Sequence, residues 1–394
     1  MRRNPAEQYS SSLVTTLTLP RLVVLDTSHI VGLAADSISP NREQRRAAEE
    51  FIHSLVEHAW LPLLCWHHVE ELLQHQNDKL VEARLRYLRS WPLMAWIQAQ
   101  DSRAGPGSVV DVLQAEVVAA HRHAGTDALE VRELARDSLL AMGPGTEAIP
   151  EVFRDWRLLR STLVAQQQKA REITAISRWR AMDVDGTRVA DWMDKPLRHS
   201  DEAARMLQLL RGNLTKEIAT RGDRRISDPA TVADTFISEI VRGGQAINRR
   251  NSPSPAIQTL VNAGMDLEDI DPSITLAEAT NLLTFHKRLA IVAKTSGLPL
   301  QELKRTVTQN RLPVTVIQEC MRLYAHDQPE RKGSELNDVH LLCLAPYADV
   351  TYVDKRTLES VRRAKGKNAV FAELVEHVGK AGSYSEILAT LTTL

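Results

Sequence analysis

Four acidic side chains, spread from one end of the sequence to the other, are the residues best suited to act together in chemistry. They are Asp26, one of the adjacent Glu70 and Glu71, Asp338 and Asp354. Clustered carboxylates repel one another unless a cation neutralises them, and such oxygen ligands select Mg²⁺ or Mn²⁺ rather than zinc. Ions of this kind activate water and stabilise a leaving phosphoryl oxygen. The four acids therefore predict a metal site for phosphodiester hydrolysis.

A parallel sheet is needed to bring these acids together, and the first part of the chain has the pattern of one. Residues 21–25 form a short apolar run that ends at Asp26, and residues 60–64 form a second. Helical periodicity at 41–58 separates them, and residues 91–98 are a candidate third strand. Strands that alternate with helices predict a parallel sheet with right-handed crossovers.

The remaining acids are expected at the same edge of that sheet. Asp338 is expected to open a late helix, and Asp354 follows an apolar strand at 350–353. Glu70 and Glu71 are expected in the first turn of the helix after the second strand. Helix starts and strand ends meet at the carboxyl edge of an open α/β sheet, where ligands bind. Adjacent helical residues diverge by about 100°, so we expect only one of the two glutamates to face the site.

Residues 101–330 have a different character from the rest of the chain. They contain amphipathic helical patterns and no convincing strand, whereas the α/β pattern returns after Gly333. We therefore predict an α/β protein with a parallel sheet flanked by helices and a large all-helical insertion. The predicted divisions are an N-terminal arm, a first sheet portion, the insertion, and a second sheet portion with C-terminal helices, at 1–19, 20–100, 101–330 and 331–394.

Composition sets limits on the class of protein but does not select a partner. The 394 residues are 43% hydrophobic and carry a formal net charge of −1, so the whole chain gives no electrostatic argument for nucleic acid. Three distant cysteines fit no zinc spacing and suit a reducing compartment. We find no apolar leader segment and no run of the ~18 apolar residues that a membrane helix needs. These features predict a cytoplasmic protein without a membrane partner.

Several short motifs resemble those of PIN-like domains, a family of metal-dependent nucleases. They are Leu-Asp-Thr-Ser at 25–28, Cys-Trp-His-His-Val-Glu-Glu-Leu-Leu at 65–73, Asn-Asp at 337–338 and Tyr-Ala-Asp-Val-Thr-Tyr-Val-Asp-Lys-Arg at 347–356. The resemblance covers roughly residues 20–98 and 333–375, less than half of the chain. The sequence departs from a compact PIN domain in the long insertion between its second and third acidic residues.

The resemblance implies a fold, a metal set and a substrate. It implies that Asp26, one glutamate, Asp338 and Asp354 hold Mg²⁺ or Mn²⁺, and that single-stranded RNA is a more frequent substrate than DNA. Glu71 is favoured over Glu70 because it precedes Leu72-Leu73 as the family's glutamate precedes its apolar pair. By analogy, a nuclease with a large accessory domain suits a stress response or phage defence.

Other residues near the four acids are candidates for supporting roles. Glu335 and Asp349 are additional acids within reach of the predicted site, although Asp349 also suits a cap for the turn before its strand. Ser28 could hydrogen-bond a ligand carboxylate or a metal-bound water. Lys355 and Arg356 follow Asp354 directly and could contact a phosphate.

Two alternatives to a ribonuclease stay open. One is a DNA nuclease with the same metal chemistry. The other is a non-catalytic nucleic-acid-binding or scaffold protein in which the acids only cap helices and turns. We expect the helical insertion either to mediate assembly with a second copy of the chain or to bind a regulatory partner.

Overall fold

The computed structural model describes residues 20–101, 103–193, 200–245 and 254–393. The arm predicted at 1–19 lies outside these residues. By its contacts the chain divides into two compact units. The first contains the described residues up to Val112, together with Arg136–Arg157 and the chain from Leu341 onward. The second contains Leu113–Ala135 and Leu158–His340.

A six-stranded, mostly parallel sheet forms the centre of the first unit, and this confirms the α/β class. The strand order is β4-β3-β2-β1-β5-β6, and only the β3–β4 pair is antiparallel. The strands are β1 at Arg21–Val24, β2 at Trp60–Leu64, β3 at Met94–Ile97, β4 at Leu140–Gly143, β5 at Val350–Tyr352 and β6 at Val378–Gly379.

The position of β4 corrects the prediction that residues 101–330 contain no strand. Leu140–Gly143 pairs with all four residues of β3, from Met94↔Gly143 to Ile97↔Leu140. The helical region is therefore interrupted by an edge strand of the sheet. The contact division accordingly joins Arg136–Arg157 to the sheet, and the helical unit has bounds other than the predicted 101–330.

The central strands are apolar because both faces of the sheet are covered by helices, as parallel sheets require. Every residue of β2 is buried, and so are Leu22, Val23 and Val24 of β1. The helices of the first unit, or shared with the second, are α1 at Thr27–Ser37, α2 at Arg42–Glu57, α3 at Trp66–Leu73, α4 at Asp78–Arg89, α5 at Val109–Arg122, α6 at Ala128–Leu139 and α7 at Gly145–Ala148.

In the second unit, the regular elements among the described residues are all helices. One core is built around Leu214 and Ile218, and another around Leu260 and Leu283. The helices are α8 at Arg160–Ile176, α9 at Val189–Met193, α10 at Ser200–Arg221, α11 at Pro229–Gln245, α12 at Pro255–Asn262, α13 at Leu276–Ser296, α14 at Leu300–Thr306, α15 at Pro313–Tyr324 and α16 at Ser334–Leu342.

The chain ends in the sheet unit with three more helices. They are α17 at Lys355–Lys365, α18 at Ala369–Leu374 and α19 at Tyr384–Leu391. Single-turn 3-10 segments occur at Leu267–Asp269, Gln309–Arg311 and Ala345–Tyr347, and a longer one at Glu151–Leu159. None of the helices in the described ranges is long and apolar enough to cross a membrane.

Candidate metal centre at the carboxyl edge of the sheet

Asp26 and Asp354 lie at the carboxyl ends of two neighbouring parallel strands. Asp26 follows β1 and Asp354 follows β5, and the register pairs Val24 with Thr351. Both carboxylates are half-buried. Because adjacent strands are about 4.8 Å apart, the two aspartates occupy neighbouring positions at one edge of the sheet.

This edge is also where the order of the strands reverses. From β1 the chain continues to β2 and β3 on one side, and β5 and β6 pair on the other side of β1. Open α/β sheets bind their ligands at such a switch point, in a crevice outside the carboxyl ends of the strands. Asp26 and Asp354 lie where such a crevice is expected.

Each of these aspartates also caps the helix that follows it. The backbone N–H of Ser28 donates to Oδ1 of Asp26 at 2.7 Å, at the start of α1. The backbone N–H of Thr357 donates to Oδ1 of Asp354 at 2.7 Å, at the start of α17. From the part of the chain that the structure describes, the second oxygen of each carboxylate receives no hydrogen bond.

A buried histidine joins the start of α3 to the end of β1. The Nε2–H of His68 donates to the carbonyl oxygen of Leu25 at 3.0 Å, and the backbone N–H of Cys65 donates to its Nδ1 at 3.1 Å. Burial lowers the pKa of His68 to about 4, so the ring is neutral with its proton on Nε2. His68 therefore fixes α3 beside the residue that precedes Asp26.

Gly107 holds the same end of α3 from the other side. Its carbonyl oxygen accepts from the N–H of Trp66 at 2.7 Å, and its own N–H donates to the carbonyl of Ile97 at 2.7 Å. A Cβ at this position would lie 2.8 Å from the carbonyl oxygen of Gln98, so only glycine fits. The loop that contains Gly107 thus positions α3 at the end of β3.

The positions of the two glutamates differ from the prediction. Because α3 begins at Trp66, Glu70 and Glu71 lie in its second turn rather than its first. An Oε2 of Glu70 lies 3.4 Å from Nδ1 of His67. Burial raises the pKa of the Cys65 thiol to about 12, and the nearby Glu71 and Glu70 carboxylates add to that rise. Both glutamates thus lie close to the start of α3.

Asp338 is also placed differently from the prediction. It lies in the middle of α16, which begins at Ser334, and not at the helix start. Glu335 is the acid of the first turn, and its Oε1 accepts from the N–H of Lys332 at 3.3 Å. Asp338 and Glu335 belong to the second compact unit, whereas Asp26 and Asp354 belong to the first.

Asp349 lies at the opposite end of β5 from Asp354. Its Oδ2 accepts from the N–H of Leu22 at 2.6 Å, and its own N–H donates to the carbonyl of Leu22 at 2.8 Å. Five extended residues span roughly 16 Å, so this carboxylate joins β5 to β1 at the amino edge. Its role is to fix the strand pairing.

The three polar candidates beside the aspartates are exposed. Ser28, Lys355 and Arg356 occupy the first turns of α1 and α17. Nζ of Lys355 lies 3.9 Å from Oε1 of Glu359, a contact on a solvated helix face. These side chains are accessible to a ligand in the crevice.

The chemistry of the donors suits a hard cation, but the described side chains do not form a complete ligand group. Asp26, Asp354 and the glutamates of α3 offer carboxylate oxygens, which Mg²⁺ and Mn²⁺ prefer. Within the described ranges, no group of three or more His, Cys, Asp or Glu side chains is arranged to hold a metal ion. The structure thus brings Asp26 and Asp354 to one edge and leaves the complete metal set as a prediction.

Comparisons with known proteins identify no family for this chain. Protein-family models, curated proteins and solved structures were each compared with the chain, and none matched.

Proposed function

We propose that this protein is a Mg²⁺- or Mn²⁺-dependent endonuclease that cleaves single-stranded RNA. The observation that carries the proposal is the pair Asp26 and Asp354, which lie at the carboxyl ends of the neighbouring strands β1 and β5. The resemblance to PIN-like domains supports it, because the same two positions belong to that family's acidic set. Asp338 is included through the resemblance.

In the proposed site the carboxylates of this chain hold the metal and orient it. Asp26 and Asp354 each use one oxygen for a helix N–H, so the other oxygen is left for a cation. A bound ion would activate water and stabilise the charge that develops on the phosphate. The neutral His68 adds no competing positive charge, and it keeps α3 with its glutamates at this edge.

A second candidate function has an observation in its favour. Both aspartates are helix caps, so their presence is explained without a metal. The chain would then be a non-catalytic nucleic-acid-binding or scaffold protein. A change that removes the charge and keeps the cap should abolish function if the aspartates hold a metal. The same change should leave function intact if they are only caps.

The deciding experiment is cleavage of labelled single-stranded RNA and DNA with Mg²⁺, Mn²⁺ or EDTA. Wild type is compared with Asp26→Asn and Asp354→Asn, since asparagine caps a helix as well as aspartate does. Asp228→Asn is the matched control, because Asp228 accepts from the N–H of Thr231 in the second unit. We expect metal-dependent cleavage of RNA that is lost in the first two variants and kept in the control.

The same assay separates the two glutamates. Glu71 precedes Leu72-Leu73 as the glutamate of PIN-like domains precedes its apolar pair. We expect Glu71→Gln to reduce cleavage more than Glu70→Gln. Absence of cleavage with every metal, in a folded protein, would favour the binding or scaffold function.

A further inference from the structure

Helix α17 carries an exposed face that is almost entirely cationic. Its inner face is buried through Thr357, Leu358 and Val361. Its single acid is Glu359, and Lys367 follows two residues after the helix ends at Lys365. The exposed cations are Lys355, Arg356, Arg362, Arg363 and Lys367.

Except for Lys355, which lies 3.9 Å from Glu359, these cations have no acidic partner among the described residues, whereas some other exposed arginines of the sheet unit do. Arg46 pairs with Glu50 at 2.5 Å, and Arg157 pairs with Asp78 at 2.8 Å. By contrast, the side chains of Arg356, Arg362, Arg363 and Lys367 make no ion pair or hydrogen bond with any residue that the structure describes. Three of these like charges lie on one short helix and repel one another, and an external anion would relieve that repulsion.

The helix dipole explains only half of this arrangement. Cations near a helix C-terminus are favourable, which accounts for Arg362 and Arg363 in the last turn. Lys355 and Arg356 lie in the first turn, where the dipole disfavours positive charge. Lys355 is 74% exposed, so burial of its stem does not hold it there. A bound anion would stabilise both of these residues.

The location of α17 connects this face to the candidate metal centre. The helix begins directly after Asp354, its cap, and its eleven residues extend about 16 Å from that point. The cations thus run from the crevice along the flank of the sheet. A ligand with negative charges repeated along its length matches this spacing better than a single small anion.

We propose that the exposed face of α17 binds the phosphate backbone of a single-stranded nucleic acid that extends from the candidate metal centre. The inference deepens the proposed function and rests on it for the position of the strand. Contacts to the backbone supply affinity without reading sequence. The face therefore positions a strand, and specificity resides elsewhere.

Binding can be tested without cleavage by using full-length protein with Asp26→Asn as the parent. We would measure fluorescence anisotropy of a labelled single-stranded RNA across a salt series in EDTA. The test variant adds Arg356→Gln and Arg363→Gln, and the control instead adds Arg42→Gln and Arg46→Gln on α2. Both remove two exposed charges, and thermal unfolding confirms that each protein is folded.

We expect the α17 variant to bind about 25-fold more weakly at ~0.1 M salt, with a salt slope smaller by about 1.4, because each phosphate contact contributes a slope of about 0.7. The α2 control should bind like its parent. Equal weakening in both variants, an unchanged slope, or no binding of any strand would overturn the proposal. If the true partner is an acidic protein, neither RNA nor DNA would bind.

The same measurements compare RNA with DNA as the ligand of α17. They also test this inference separately from the proposed nuclease activity. Equal affinity for RNA and DNA strands would support a contact that reads only the backbone, and tighter RNA binding would support one that also reaches the 2′-hydroxyl. Binding that depends on α17, in a wild-type protein that cleaves nothing, would keep this inference and reject the nuclease. If the protein cleaves with metal but the α17 changes do not affect binding, the nuclease proposal is kept and this inference is rejected.

Discussion

Asp26 and Asp354 each combine a helix cap with a charge at the edge of the sheet. Alanine at either position removes the acceptor for Ser28 or Thr357 N–H, and we expect each change to cost about 1 kcal/mol of unfolding free energy. Asparagine keeps an acceptor oxygen, so its cost should be a few tenths of that value. Urea denaturation of the full chain in EDTA measures both effects.

The comparison of stability with activity distinguishes a cap from a ligand. If the carboxylates hold a metal, the asparagine variants should keep their stability and lose at least ~100-fold in metal-dependent cleavage, the upper range for loss of a residue that only supports a ligand. Equal cleavage by wild type and both asparagine variants would mean that Asp26 and Asp354 serve only as caps.

At the scale of elements, His68 is the clearest connection between two parts of the proposed site. It is fully buried and satisfies both the carbonyl of Leu25 and the N–H of Cys65. We expect His68→Ala to cost roughly 3 kcal/mol, because it leaves a cavity and buried polar groups without partners. His68→Asn keeps an acceptor near the N–H of Cys65 and should cost less.

The control for this prediction is another histidine. His58→Ala changes an exposed residue whose ring, among the described residues, hydrogen-bonds the carbonyl of Ser54 at the end of the preceding helix. Unfolding curves of the three variants and the wild type give the free energies. A His68→Ala protein as stable as His58→Ala would show that the connection between β1 and α3 contributes little.

The strands that position the site were predictable because they are apolar and clearly bounded. Residues 21–25 lie between Pro20 and Asp26, and the run at 60–64 matches β2 at both ends. A strand buried on both faces has to be apolar throughout, so this signal is local. This local signal is sufficient to predict that Asp26 and Asp354 follow the ends of strands.

The elements that escaped prediction depend on distant partners. Residues 140–143 continue directly from the amphipathic pattern of α6 and are partly exposed, and only pairing with β3 makes them a strand. The two residues of β6 are too few for periodicity. The sequence predicts that Asp338 opens α16, but the helix begins four residues earlier at Ser334, with Glu335 in its first turn.

The capping geometry of α3 also escaped prediction for a physical reason. Cys65 is a weak cap, and His68 three residues later takes the role that glutamate usually has. The spacing of a residue at the end of a strand and a histidine three positions later was the signal that could have placed the helix start at Trp66.

At the scale of the whole molecule, Asp223 joins chain segments 110 residues apart. Its buried carboxylate accepts from Nε and Nη2 of Arg225, at 2.8 and 2.6 Å, and from the N–H of Gly333 at 3.0 Å. The Arg225 guanidinium and the backbone donors hold the pKa of Asp223 well below its usual range. The segment that leads into α16 is thereby fixed to the helical unit.

This shift has a defined sign in the dependence of stability on pH. A carboxyl group whose pKa is depressed in the folded state contributes stability above its unfolded value, near ~3.9, and that stability is lost as the pH falls towards the folded value. We expect Asp223→Asn to cost about 2–3 kcal/mol at pH 7. The difference from wild type should shrink between about pH 5 and pH 3. A difference that stays constant with pH would contradict this assignment.

Metal binding should be visible as stability of the folded chain, independently of any cleavage. A ligand that binds only the folded state at 100 times its Kd adds about 2.7 kcal/mol, so Mn²⁺ should raise the Tm and EDTA should reverse the rise. We expect Asp26→Asn and Asp354→Asn to abolish the shift and Asp228→Asn to keep it. Hydrogen exchange at the amides of Ser28 and Thr357 would locate the ion at the carboxyl edge.

The variant Asp338→Asn tests the assignment that was taken from the resemblance. A normal metal-induced rise in Tm in that variant would remove Asp338 from the metal set, whereas loss of the rise would make it a ligand together with Asp26 and Asp354.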